Sequence, residues 1–158
     1  MAKGNEIIVS ANPRGRRSEC VISGTPKPGT VMQIDAAVEP IGGRFTYEVY
    51  APGTDGDQRV IVVLLPDVLS GNLATDAYAD GDTGFLYFPM AGDELNMILE
   101  DVAGTGDTHA IGDVLIVDTG TGTLIDTTGT PEAEPFICLE TITAGTADAL
   151  AWCQFTGC

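Results

Sequence analysis

Glycine and proline interrupt the apolar segments of this chain at short intervals, and this is its strongest constraint on folding. The sequence holds 20 glycines and 9 prolines among 158 residues. Between these breaks lie short apolar runs, several of which alternate with polar residues as half-buried strands do. No window shows the period of about 3.6 residues that an amphipathic helix requires. The pattern predicts an all-β fold.

About nine short strands are predicted from these runs. They lie within residues 30–39, 44–50, 59–65, 85–88, 95–99, 114–117, 123–125, 136–142 and 149–155, and residues 20–22 form a further short apolar segment. Residues 59–65 are almost continuously apolar, which is typical of a strand buried on both faces. Residues 114–117 and 123–125 predict a hairpin that turns at Gly120-Thr121-Gly122. The spacing fits a single β-barrel or a jelly-roll-like sandwich, and periodicity does not choose between them.

Charge is distributed unevenly along the chain. All seven basic residues lie within the first 59 positions, where seven acidic residues balance them. Residues 60–158 hold the other sixteen acids and neither lysine nor arginine, so they carry the whole net charge of −16. A surface of that sign repels the phosphates of nucleic acid. We therefore expect no nucleic-acid partner.

The N-terminal segment has the opposite charge. Its basic residues are Lys3, Arg14, Arg16 and Arg17, opposed only by Glu6. A basic terminus that contains glycine and proline, joined to an acidic body, indicates an arm that docks on an acidic partner. We predict an extended arm over residues 1–19 and a β-barrel or sandwich body over residues 20–158. The alternative is a disordered tail without a partner.

No segment predicts membrane insertion or export. A membrane-spanning helix needs about 20 apolar residues, and the apolar runs here are much shorter. Near the N-terminus only residues 7–9 form an apolar run, which is too short for a secretory signal. We expect a soluble protein with no membrane partner.

The four cysteines, Cys20, Cys138, Cys153 and Cys158, do not predict a metal site. They lack the paired Cys-x-x-Cys spacing of zinc ligands. Cys138 and Cys153 lie in predicted strands, which indicates small, buried apolar side chains. Without a signal sequence all four are expected to be reduced, although an oxidising environment would let Cys153 pair with Cys158.

The tripeptide Asp118-Thr119-Gly120 follows an apolar strand, as the catalytic tripeptide of aspartic proteases does. That chemistry needs two carboxylates that share a proton, so one copy per chain would require a homodimer. No apolar-apolar-glycine segment follows Gly122 to support such a catalytic loop. We interpret the tripeptide as turn chemistry, in which Asp118 bonds the backbone and glycine adopts a positive φ. A dimeric aspartic protease is the alternative.

Other chemical motifs are incomplete. His109 is the only histidine, whereas cupin-type metal sites need several and a triad needs a nucleophile beside it; we interpret it as a loop residue without a special role. The segment Asp80-Gly81-Asp82-Thr83-Gly84, with Asp76 upstream, superficially resembles a calcium loop. Counted from Asp76, the twelfth position is Tyr87 rather than the glutamate that closes an EF-hand. We predict no catalytic residue, cofactor or metal, and no enzymatic activity.

Two passages of the acidic half resemble a known family. Residues 77–82 (AYADGD) and 87–96 (YFPMAGDELN) resemble an "aYaaGd…yxPxxGdE" passage of small structural proteins of tailed bacteriophages. The following part of those proteins is similar to residues 111–115, 122–125, 134–136 and 139–141. The resemblance spans about residues 60–155 and rests on turn-and-strand patterns.

This resemblance is to the capsid decoration, or cement, proteins. It implies a β-rich homodimer or homotrimer without an active site, assembled in the host cytoplasm and bound to the outer head surface of the virion. Its implied role is to stabilise the head by bridging subunits of the major capsid protein. The family does not match residues 1–17, so the predicted contact through Lys3, Arg14, Arg16 and Arg17 rests on charge alone.

Three alternatives to a cement protein stay open. One is another virion surface component, such as a head-fibre base or a tail protein. Another is the dimeric aspartic protease. A third is a carbohydrate-binding sandwich, for which the single tryptophan, Trp152, is thin support.

Overall fold

The computed structural model describes residues 6–10, 16–51, 60–100, 108–118, 120–126, 136–143 and 149–157. These residues form β-strands and no helix, which confirms the predicted all-β class. The strands are β1 (Ile8–Ser10), β2 (Arg16–Ile22), β3 (Val31–Ile34), β4 (Thr46–Val49), β5 (Val62–Leu65), β6 (Thr83–Phe88), β7 (Glu94–Leu99), β8 (Thr108–His109), β9 (Val114–Val117), β10 (Leu124–Asp126), β11 (Phe136–Cys138), β12 (Ile142–Thr143) and β13 (Ala149–Phe155). The described chain contains no helix suited to crossing a membrane.

The first half of the described chain closes into a barrel, which we call the N-terminal barrel. Its strand order is β2-β4-β3-β5-β6, and the antiparallel pairing of β2 with β6 closes it. β2 and β4 are parallel, whereas the other neighbours are antiparallel. Apolar residues from all five strands form its own core, among them Cys20, Ile22, Met32, Leu64 and Leu86.

The second half forms another closed arrangement, which we call the C-terminal ring. It runs β7-β10-β9-β11-β13, and β13 pairs with β7 along most of both strands to close it. β1 pairs with β7 as an added strand, and β8 and β12 form a separate two-stranded sheet. The rings of Phe136 and Phe155 pack in its core with their centroids 5.4 Å apart.

The two halves share apolar contacts through β5. Val62 and Leu64 belong to the core of the N-terminal barrel, whereas Val63 and Leu65 belong to the cluster that fills the C-terminal ring. Side chains alternate between the two faces of a strand, so one strand serves both cores. The prediction that this strand is buried on both faces is therefore confirmed for Val62–Leu65.

The architecture differs from a single barrel or jelly roll of about nine strands. Two closed arrangements with separate apolar clusters meet at β5, and thirteen strands are described. Some predicted strands are shorter, because β3 ends where the Asp35 carboxylate accepts the Ala37 N–H at 3.0 Å and starts a turn. Other strands, including β1 with three residues and β8 with two, are too short to be recognised from periodicity.

The predicted arm, residues 1–19, is partly built into the sheets. Ile7 is only 1% exposed and packs in the cluster of the C-terminal ring, next to β1. β2 begins at Arg16, so residues 16–19 belong to the N-terminal barrel. These stretches correct the idea of an arm that leaves the body. Lys3 and Arg14 lie outside the described residues, and for them the arm stays a prediction.

Candidate functional site

Arg16 and Arg17 begin β2, and we call this strand end, residues 16–19, the basic edge. Arg16 lies opposite Phe88 and Arg17 opposite Tyr87 on β6. On its other side β2 pairs with β4 only from Val21 onward. No described strand therefore covers the outer side of the basic edge, and its side chains are exposed.

The basic edge also presents main-chain groups. The Ile22 N–H donates to the Asp82 carbonyl oxygen at 2.9 Å, whereas the Val21 N–H donates to Phe45 on the other side at 3.0 Å. This alternation directs the N–H and C=O groups of Arg17 and Glu19 away from β6. An uncovered strand edge of this kind accepts hydrogen bonds from an extended segment of a partner.

The two arginines of the basic edge have no carboxylate partner in the described chain, and the charge of Arg17 acts on Tyr87 of β6. Neither guanidinium has an ion pair or a side-chain hydrogen bond with a described residue. Arg44, by contrast, lies with Nη1 3.9 Å from Glu19 Oε2 and donates to Thr83 Oγ1 at 3.2 Å. Arg16 and Arg17 are therefore exposed basic side chains without an ion pair in the described chain.

Three four-residue turns share one hydrogen-bonding pattern, in which the fourth residue is an aspartate. The first residue of each turn donates its N–H to the carboxylate of the fourth, as Ala79 does to Asp82 (2.9 Å), Met90 to Asp93 (2.7 Å) and Ala110 to Asp113 (2.6 Å). The third residue is always a glycine, with φ between +86° and +95°. Glycine adopts this conformation without strain, as position i+2 of a type II turn requires. These Gly-Asp pairs therefore act as turn-forming elements.

Hydrogen bonds to the backbone account for the aspartates of residues 80–84, the segment that resembles a calcium loop. Besides the Asp82 bond, Asp80 Oδ1 accepts the Gly24 N–H at 2.8 Å. In the described residues no group of three or more histidine, cysteine or acidic side chains is arranged to hold a metal ion. The carboxylates of this segment bond the backbone.

Asp93 connects the two halves of the molecule. Its side chain is 1% exposed, and its Oδ2 accepts the hydroxyl of Tyr87 at 2.6 Å. The Phe155 N–H donates to the Asp93 carbonyl oxygen at 2.8 Å. Burial and the bond to Asp93 raise the pKa of Tyr87 above its ordinary value. The turn between β6 and β7 is thus fixed by polar contacts on both sides.

The hairpin that carries Asp118 forms as predicted, because β9 and β10 pair antiparallel around Gly120-Thr121-Gly122. The half-buried Asp118 side chain accepts the Thr121 hydroxyl at 2.8 Å. The turn docks on the N-terminal barrel: Gly122 C=O accepts the Val31 N–H at 2.8 Å, and the Gly120 N–H donates to Tyr50 C=O at 3.2 Å. Its observed role is to join the two halves.

His109 differs from the prediction of a loop residue. It lies in β8 opposite Ile142, and its side chain is 3% exposed. Neither ring nitrogen has a hydrogen-bond partner among the residues that the structure describes. Its burial could not be read from a sequence segment of mixed polarity.

The described cysteines are free thiols, and the predicted burial of Cys138 and Cys153 is confirmed. Cys158 lies outside the described residues, so its pairing with Cys153 stays a prediction. A cavity of about 280 Å³ at the junction of the halves is lined by Lys27 and by threonines that include Thr30 and Thr123. Neither Arg16 nor Arg17 lines this cavity.

The comparisons with known proteins concern the fold. No family model and no curated protein matches the sequence. Among solved structures, the chain is similar to the N base of the head fibre protein gp8.5 of bacteriophage phi29, with a TM-score of 0.55 and 11% identity. The similarity covers 90% of this chain and 94% of that one. At this identity the match shows that the two chains share an all-β fold of barrel-like sheets.

Proposed function

We propose that this protein is a structural component of a tailed-phage virion that binds the outer surface of the head. It decorates and stabilises the capsid by bridging subunits of the major capsid protein. The resemblance of residues 60–155 to decoration proteins supports this proposal, as does the fold shared with a head-fibre base over 90% of the chain. The observation that carries the contact itself is the pair of arginines, without an ion pair in the described chain, on an uncovered strand edge.

The proposed mechanism is electrostatic and multivalent. Arg16 and Arg17, together with Lys3 and Arg14 of the preceding segment, contact an acidic seam between capsid subunits. The acidic C-terminal ring faces away from that seam, because like charges repel. Assembly as a homodimer or homotrimer repeats the contact, so interfaces of modest affinity hold neighbouring subunits together. Because the protein binds assembled capsid subunits and not separated ones, its binding raises the free energy needed to separate them.

A head-fibre base is the second candidate, and the shared fold with the phi29 fibre base specifically favours it. The two roles differ in the number of copies of the protein that each virion carries. A decoration protein occupies every equivalent seam and occurs at a fixed ratio to the major capsid protein. A fibre base occupies fewer positions and also holds a fibre. Quantitative mass spectrometry of purified virions therefore distinguishes them by copy number.

We propose no enzymatic role. The dimeric aspartic protease would use Asp118, whose carboxylate here bonds Thr121 within a turn that joins the two halves. Its mechanism cannot survive Asp118→Asn, since the amide cannot take part in the shared-proton chemistry. Peptide-library cleavage by the native protein that Asp118→Asn abolishes would revive the protease.

The contact is tested by charge reversal rather than by truncation, because residues 8–10 and 16–17 belong to the sheets. We expect Arg16→Glu/Arg17→Glu to reduce co-sedimentation with heads that lack the protein by at least about tenfold. The matched comparison uses single reversals: Arg17→Glu should weaken binding, whereas Lys27→Glu, which makes the same change in net charge away from the basic edge, should retain it. Equal binding by both variants would contradict the proposed contact.

A further inference from the structure

Cys138 and Cys153 face each other on neighbouring strands of the C-terminal ring. They are directly opposite in the antiparallel pairing of β11 with β13. The Leu139 N–H donates to the Trp152 carbonyl oxygen at 2.8 Å, and the Cys138 N–H turns the other way to Asp113. These bonds identify the two cysteines as a non-hydrogen-bonded pair, the register in which opposite side chains lie closest.

That register satisfies the geometric requirement for a disulfide. Opposite residues in a non-hydrogen-bonded pair have Cα atoms about 4.5 Å apart, and disulfides join residues whose Cα atoms are about 4.4 to 6.8 Å apart. Both side chains point to the same face, because they share one position in the strand alternation. Both are fully buried in the same apolar cluster.

The surroundings of the two thiols distinguish them from Cys20. A hydrogen bond from the Cys153 thiol lowers the pKa of Cys138 to about 7. Cys20 lies in the core of the N-terminal barrel, where burial raises its pKa to about 12. Thiolates are the nucleophiles in disulfide exchange, so the lowered pKa of Cys138 adds to the facing geometry of the pair.

We propose that Cys138 and Cys153 form a reversible redox site, which a low-molecular-weight disulfide converts into a cross-strand disulfide. The inference is independent of the proposed function.

The exchange needs no oxidant beyond that disulfide. The Cys138 thiolate attacks one sulfur of oxidised glutathione, whose other half leaves and takes up a proton. Cys153, having given its proton to solvent, then attacks Cys138 sulfur in the mixed disulfide and expels the second glutathione, which is protonated in turn. The two cysteines lose two electrons and two protons, and one oxidised glutathione becomes two reduced molecules.

The test uses the full chain with Cys158→Ser, so that the terminal thiol does not compete. One sample is treated with oxidised glutathione in the native state. A second is denatured, reduced and refolded in the same oxidant, so that burial of the thiols cannot block their access. Both are then denatured, alkylated and mapped by mass spectrometry. Cys153→Ala in the same background is the control.

We expect the number of alkylated cysteines to fall from three to one in at least one sample, with Cys20 still alkylated and a linked peptide joining Cys138 to Cys153. Dithiothreitol should restore all three thiols. The Cys153→Ala control should give no intramolecular link. Absence of the Cys138–Cys153 link from both samples, or a link that involves Cys20, would overturn the proposal.

Discussion

The N-terminal barrel and the C-terminal ring have separate apolar cores that meet at β5, and the two halves carry different charges. Every described basic side chain lies between residues 16 and 44, in the N-terminal barrel, and residues 60–158 contain neither lysine nor arginine. The packing of β5 between the two cores uses only apolar side chains. The charge difference is therefore not needed to join the halves, which leaves it available for recognition of a partner.

The two halves also differ in how their buried ionisable groups are held. In the N-terminal barrel, burial raises the pKa values of Cys20, Tyr47 and Tyr78. In the C-terminal ring, a neighbouring thiol lowers the pKa of Cys138. In the N-terminal barrel burial favours the neutral form of these groups, whereas in the C-terminal ring the thiol of Cys153 favours ionisation of Cys138.

The largest expected loss of stability comes from disrupting the contact between the Gly120–Gly122 turn and the N-terminal barrel. A Cβ atom on Gly122 would collide with the Val31 carbonyl oxygen, at a backbone φ of +65° that disfavours other residues. We expect Gly122→Ala to reduce the free energy of unfolding by roughly 3 to 5 kcal/mol, since strain and a steric clash add. Urea unfolding, followed by Trp152 fluorescence and circular dichroism, measures this loss.

Gly120→Ala is the matched control, because Gly120 also has a positive φ but open space around its Cα. It should lose only about 1 to 2 kcal/mol, the strain of the backbone alone. Equal losses at the two glycines would show that the turn does not dock on the N-terminal barrel.

The next effect compares a buried Gly-Asp turn with an exposed one. Asp93→Ala removes the acceptor of the buried Tyr87 hydroxyl and of the Met90 N–H. A buried donor without a partner is costly, so we expect a loss of about 2 to 4 kcal/mol. Asp82→Ala removes the corresponding bond from an exposed turn and should lose about 1 kcal/mol. Thermal and urea unfolding of both variants should reveal this difference; a larger loss for Asp82→Ala would contradict the assigned junction role of Asp93.

The raised pKa values in the N-terminal barrel predict that the free energy of unfolding falls at high pH. Cys20, Tyr47 and Tyr78 have raised pKa values, so their stabilisation is complete below the pKa values of the unfolded chain, 9.0 for cysteine and 10.0 for tyrosine. It is lost as the pH rises further, because the unfolded chain ionises first. Each group reduces the free energy of unfolding by up to about 1.4 kcal/mol per pH unit in that range.

Cys20→Ala isolates the thiol's part of this loss. Urea midpoints measured from pH 8 to pH 11, at roughly one-unit steps, should fall less steeply in the variant, because its unfolded chain has one fewer group to ionise. An unchanged slope would show that burial of Cys20 does not control its ionisation.

The smallest effect on stability is expected at the basic edge. Arg16 and Arg17 have no side-chain partner among the described residues, so Arg16→Glu/Arg17→Glu should change the free energy of unfolding by less than about 0.5 kcal/mol. A loss comparable with that of Gly122→Ala would mean that these arginines serve the fold rather than a partner.

Local patterns predict the individual strands well. β13 has the predicted bounds, the hairpin of β9 and β10 turns at the predicted glycines, and β5 is buried on both faces. The closure into two arrangements depends on the pairings of β2 with β6 and of β13 with β7. Those pairings join segments far apart in sequence, and hydrophobic periodicity carries no information about them.

The sequence predicts the charge of the candidate site but not the strand pairing in which the site lies. Clustered arginines indicate a contact with an acidic partner, whereas the strand that carries Arg16 and Arg17 is fixed by its pairing with β6. Its end is too polar to register as a strand on its own. The contribution of Asp93 to its turn could not be predicted for a related reason. A glycine-aspartate pair in the sequence indicates neither that the aspartate is buried nor that the Tyr87 hydroxyl lies beside it.

The most direct test of the central claim is hydrogen exchange of the protein alone and bound to phage heads that lack it. We predict slower exchange in peptides that cover residues 16–20 after binding, because the uncovered side of β2 then contacts the head. Peptides that cover residues 149–155 of the C-terminal ring should exchange as before. Protection confined to the C-terminal ring, or no protection at the basic edge in the bound protein, would contradict the account.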